Sequence, residues 1–85
     1  MSFRYSLHAL EQINIRGLNQ TIVEEILNSP DKVLTTSDGV AIYQKLIIEY
    51  NKRYLYRVLV NITKQPPMVI TAYKTSKVEK YENPI

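Results

Sequence analysis

From residue 32 onward the chain reads as four runs rich in Val, Ile and Tyr, at 32–36, 40–50, 54–63 and 68–75, with breaks of only three or four residues. Breaks this short cannot hold the dozen or more residues that a parallel crossover needs, so successive runs are expected to pair antiparallel as a meander. Ser37-Asp38-Gly39, Asn51-Lys52-Arg53 and Lys64-Gln65-Pro66-Pro67 supply the turn residues at the three breaks. Within the run from Tyr54, residues Tyr54, Tyr56, Val58, Val60 and Ile62 alternate onto one face. Residues 3–5 have the character of a short additional edge strand.

Before residue 32 the period is helical. Ser6 is placed to cap a helix over 6–16, in which Leu7, Ala9, Leu10 and Ile13 trace an apolar stripe that Gly17 ends. Asn19 caps a second helix over 21–28, with Ile22, Val23, Ile26 and Leu27 inward and Glu24 and Glu25 outward, stopped by Ser29-Pro30-Asp31. The short link at Gly17-Leu18 predicts a tight helical hairpin. The expected fold is therefore α+β: two N-terminal helices packed on a twisted antiparallel sheet of three to four strands, one domain spanning 1–85.

Composition narrows the function classes. With no Cys, neither a disulfide framework nor a thiolate metal site can be built. A single His and no cluster of Asp and Glu point to no metal and no cofactor, and two glycines exclude a glycine-rich phosphate loop. No apolar run approaches the roughly 18 residues of a membrane helix. The first residues lack a basic stretch followed by an apolar core, so the expected location is cytoplasmic.

Charge divides unevenly. Residues 1–42 carry three Lys/Arg against five Asp/Glu, whereas 43–85 carry eight against three, giving net charges of −2 and +5. A basic half of this kind attracts RNA, DNA or an acidic protein; solvated strand faces and a basic tail would give the same count. The segment from Tyr73 to Tyr81 sets Lys74, Lys77 and Lys80 between two tyrosines, a composition suited to nucleic-acid backbones and bases.

Helical spacing gathers His8, Glu11, Gln12 and Arg16 into one polar stripe. An imidazole beside a guanidinium suits phosphoryl transfer, because one exchanges protons near neutral pH and the other neutralises charge on phosphorus-bound oxygens. The same pair also fits an ordinary helix surface. Arg57 sits in mid-strand, where burial demands a carboxylate, a solvent cleft or a bound anion, and Glu49 is the expected partner if the role is structural. Thr71, Tyr73 and Thr75 line up three hydroxyls on one face of the last strand, either as phosphate donors or as a solvated face.

Taken together, Tyr5-Ser6-Leu7-His8-Ala9-Leu10, Arg16-Gly17-Leu18, Ser29-Pro30-Asp31, Arg57-Val58, Val69 through Lys77, and Lys80-Tyr81 resemble a small-domain family of the RelE/ParE toxin superfamily, over nearly the whole chain. The resemblance implies two helices against a twisted antiparallel sheet. It also implies the toxin of a toxin-antitoxin pair, often a metal-independent endoribonuclease that cleaves messenger RNA, with a cognate antitoxin as partner. The matching positions are His8, Arg16, Arg57, Thr71 and Tyr73, while Gln12 stands where that family commonly carries a basic residue. On this reading the RNA 2′-hydroxyl attacks its own phosphate, with His8 as the preferred proton-transfer group and Tyr73 as the second. Arg16 and Arg57 stabilise charge, Thr71 orients the phosphate, and Lys74, Lys77 and Lys80 guide RNA. A non-catalytic toxin directed at gyrase, or a plain interaction module, is the alternative.

Overall fold

The computed structural model of the protein describes residues 2–82; Met1 and 83–85, the ends of the expected 1–85 domain, lie outside them. The elements run β1 (Arg4–Tyr5), α1 (Leu7–Ile15), α2 (Gln20–Asn28), β2 (Lys32–Thr35), β3 (Val40–Glu49), β4 (Lys52–Asn61), β5 (Met68–Thr75) and α3 (Val78–Glu82). One sheet has the order β1-β5-β4-β3-β2. The α+β class and the meander agree with the sequence reading. The sheet, however, has five strands rather than three to four, and β1 joins β5 in parallel, so it is mixed. α1 follows β1 at once and packs on β5, which returns β1 to that strand's outer edge.

Both N-terminal helices start and stop by local chemistry. The Ser6 hydroxyl accepts from the Ala9 N–H at 3.0 Å, and the Asn19 side chain accepts from the Thr21 N–H at 2.8 Å. α1 ends in a Schellman turn: Gly17 takes φ 65°, its N–H reaches the Asn14 carbonyl, and the Leu18 N–H reaches the Ile13 carbonyl. Leu18 and Ile13, the apolar pair of that turn, are both buried.

The core lies between the helices and one sheet face, with Ala9, Ile13, Val23 and Ile26 against Tyr56, Val58, Val60, Val69 and Ala72. The buried stripe of α1 is narrower than the sequence suggested, because Leu7 is 75% and Leu10 39% exposed. Ile62 lies beyond the end of β4 and is also exposed. α3 was not anticipated: the segment read as a basic tail turns into a short helix that rests on β4 and buries Val78. Among the described residues no helix is long and apolar enough to cross a membrane.

Candidate functional site

Strand parity decides what the expected residues can touch. The β3–β4 turn has two residues, Tyr50 and Asn51, rather than the three of Asn51-Lys52-Arg53, so Glu49 faces Lys52 and Gln44 faces Arg57. Arg57 therefore does not pair with Glu49, which projects from the other face of the sheet. Its Nε donates to the buried Gln44 Oε1 at 3.1 Å and its Nη1 to the Tyr73 hydroxyl at 2.7 Å. Because the Tyr73 oxygen accepts that bond, its own proton is left to donate elsewhere.

Arg16 is the C-cap of α1 and turns onto β5. β1 pairs only with Met68 and Val69, so the outer edge of β5 is open beyond them. Arg16 Nη1 covers that edge, donating to the Ala72 carbonyl at 2.7 Å and more weakly to Thr71 Oγ1 at 3.4 Å. Arg16 and Tyr73 then line one cleft of about 650 Å³ together with Tyr54, Lys74, Thr75 and Ser76. Four of the expected residues, Arg16, Arg57, Thr71 and Tyr73, are thus linked through β5.

His8 is not among them. It is exposed in the first turn of α1, and eight residues at about 1.5 Å rise per residue put it roughly 12 Å along the helix from Arg16. The polar stripe exists, but a shared face on a helix of this length does not bring its two ends into contact.

Lys74 is also unlike the other two lysines. Its Nζ lies 2.8 Å from Glu49 Oε1, 4.7 Å from the centre of the Tyr54 ring and 5.8 Å from that of Tyr56. The fully buried Tyr56 donates its hydroxyl to Glu49 Oε2 at 2.8 Å. The hydrogen bond from Lys74 holds the Glu49 carboxyl below its ordinary range, with help from Tyr56, and burial with Glu49 alongside pushes the Tyr56 phenol far up. Glu49, Tyr54 and Tyr56 were missed as site residues. The two-residue turn puts Glu49 on the Tyr54 and Tyr56 face, a register that the expected three-residue turn did not give.

Lys77 and Lys80 stand on a second cleft of about 640 Å³, walled by Asn51, Lys52 and Arg53 and meeting the first cleft at Ser76. Among the described residues no three His, Cys, Asp or Glu side chains converge as a metal site would require. Compared with known proteins, the chain matches no family model, no curated protein and no solved structure.

Proposed function

We propose that the chain is a toxin-like endoribonuclease of the RelE/ParE kind, acting in the cytoplasm and held in check by a cognate antitoxin. The observation that carries this reading is the cleft at the open edge of β5, lined by Arg16, Tyr73 with its free phenol proton, Thr75 and Ser76, and bordered by Lys74 from the opposite face of the strand. A fixed guanidinium at the phosphate stabilises the charge that builds up in phosphoryl transfer without a metal ion.

In the reaction, the 2′-hydroxyl attacks its own phosphate and leaves a 2′,3′-cyclic phosphate and a 5′-hydroxyl. Arg16 keeps Nη2 and Nε available for the phosphate while Nη1 stays on the strand edge. Lys74 is fixed by Glu49 on the opposite face of β5 and adds positive charge to the rim of the cleft. Tyr73 gives its proton to the leaving 5′-oxygen, and Arg57 at 2.7 Å holds the phenol oxygen in place. The cleft is open, so water accepts the 2′-hydroxyl proton. His8 has no part in this arrangement. An antitoxin with an acidic, partly disordered segment would suit the basic half of the chain and would bury the Arg16 cleft.

The test is incubation of purified protein with messenger RNA in the presence of a chelator, followed by analysis of the new ends. Cyclic phosphate ends support the reading. Intact RNA, with or without ribosomes, sinks it and leaves the gyrase-directed toxin or interaction module as the better account.

A further inference from the structure

The β3–β4 turn carries a residue that folding does not explain. Tyr50 and Asn51 sit between the paired Glu49 and Lys52 with φ of 50° and 64°, the signature of a type I′ turn. Asn is at home in that left-handed region, whereas a bulky aromatic side chain is strained there. Burial offers no compensation, because Tyr50 is 100% exposed.

The chain that follows this tyrosine is cationic. Directly after the turn, Lys52 and Arg53 form one wall of the second cleft, and Lys77 and Lys80 stand on its other wall together with Glu79. Lys52 is held over the Tyr54 ring at 5.6 Å. At Ser76 this cleft runs into the one lined by Arg16 and Lys74, so a basic path leads from the hairpin tip to the proposed phosphate site.

We propose that the hairpin tip binds single-stranded nucleic acid, with Tyr50 as the platform on which an unpaired base stacks and Lys52 and Lys77 on the flanking phosphates. An aromatic face next to a cationic groove is the arrangement that holds single strands without reading sequence. A duplex keeps its bases stacked inside, out of reach of Tyr50. A membrane surface would call for a broad apolar face around the lysines, and one tyrosine at a turn does not make one. The choice of RNA as the natural strand rests on the ribonuclease reading, while the stacking site itself does not.

The experiment is fluorescence anisotropy with the whole chain and a labelled single-stranded DNA of about 16 nucleotides, the upper end of common single-module site sizes. DNA has no 2′-hydroxyl, so binding is read whether or not the protein cleaves RNA. Tyr50→Ala is expected to weaken binding about 5- to 150-fold, the range for loss of one stacked base, with Tyr50→Phe close to the parent. Tyr50→Gly relieves the backbone strain, so it is expected to raise the urea midpoint while it weakens binding, a combination that a purely structural role cannot produce. Replacing Lys52 and Lys77 by Gln is expected to flatten the salt slope by about 1.4, at about 0.7 for each phosphate contact. Unchanged binding by Tyr50→Ala, equal affinity for duplex, or preference for phosphatidylserine vesicles overturns the proposal. DNA binding with intact RNA overturns the ribonuclease reading alone, and RNA cleavage with a Tyr50-independent affinity overturns this one alone.

Discussion

Lys74 of β5 reaches diagonally across Tyr56 of β4 to place its Nζ 2.8 Å from Glu49 Oε1 of β3, so three strands are tied together by one carboxylate. Glu49 keeps a side chain only 19% exposed and has a hydrogen bond at each oxygen. The ionised form is thereby favoured in the folded chain.

A pH dependence of stability follows from that. Glu49 is held below the 4.5 of an unperturbed carboxyl, so in acid the unfolded chain takes up its proton first. The stabilisation is complete above about pH 4.5 and is lost as pH falls through the lower folded value. Urea midpoints measured from about pH 6 down to about pH 3 should fall for the parent chain and fall less steeply for Glu49→Gln, since Gln cannot titrate. Parallel curves would mean that the pair contributes nothing pH-dependent.

Cleavage should separate the two candidate proton-transfer groups. Tyr73→Phe removes the proton that Arg57 leaves free, and should lower the rate of RNA cleavage by about two to four orders of magnitude with the fold retained. His8→Ala, at an exposed position about 12 Å along α1 from Arg16, should leave it within about twofold. The reverse pattern in single-turnover rates would return the role to His8 and would require α1 to shift when RNA binds.

Most of the fold was legible because its signals are local. The change from 3.6- to 2-residue periodicity, the caps Ser6 and Asn19, and the stop at Gly17 each depend on a few neighbouring residues, and all recur in the structure. What was not legible depends on register or on tertiary contact. Reading Asn51-Lys52-Arg53 as the turn misplaced Glu49 relative to Arg57, because turn length sets which residues oppose each other. The parallel partnership of β1 and β5 joins residues 64 apart, and no local pattern announces it. The site divided in the same way: Arg16, Thr71, Tyr73 and Arg57 share β5 or its neighbours, whereas His8 was joined to Arg16 by helical angle alone, which ignores the rise.

The two glycines should respond differently to the same change. Gly39 adopts φ 82°, and a Cβ there would come within 2.6 Å of Thr63 Cγ2, at the point where the Gly39 carbonyl accepts from the Ile62 N–H. Gly17 adopts φ 65° with nothing within 4 Å of an added Cβ. Gly17→Ala therefore meets only the left-handed penalty, about 1 kcal/mol, while Gly39→Ala adds a clash, for about 2 to 4 kcal/mol in all. Urea denaturation of both variants checks the ranking, and equal losses would show that Thr63 rotates away without cost.

Arg16 joins a structural task to a chemical one, and its variants should show both. The Ala72 carbonyl on the open edge of β5 accepts a charge-assisted hydrogen bond at 2.7 Å, partly shielded from water. Arg16→Ala should cost about 1 kcal/mol of stability, because water replaces only part of that bond, and should speed amide exchange along the 70–73 segment of β5. Arg16 also lines the cleft that holds Tyr73, so the same variant should lower RNA cleavage about 10²- to 10³-fold, as expected for a lost charge stabiliser. Arg16→Lys keeps a donor for the strand edge and a positive charge, yet has no planar fork to hold edge and phosphate together. It should recover most of the stability and little of the rate. If Lys restores both, one cation in the cleft is enough and the forked contact with β5 is incidental; if Ala loses stability without loss of rate, Arg16 only seals the edge of the sheet.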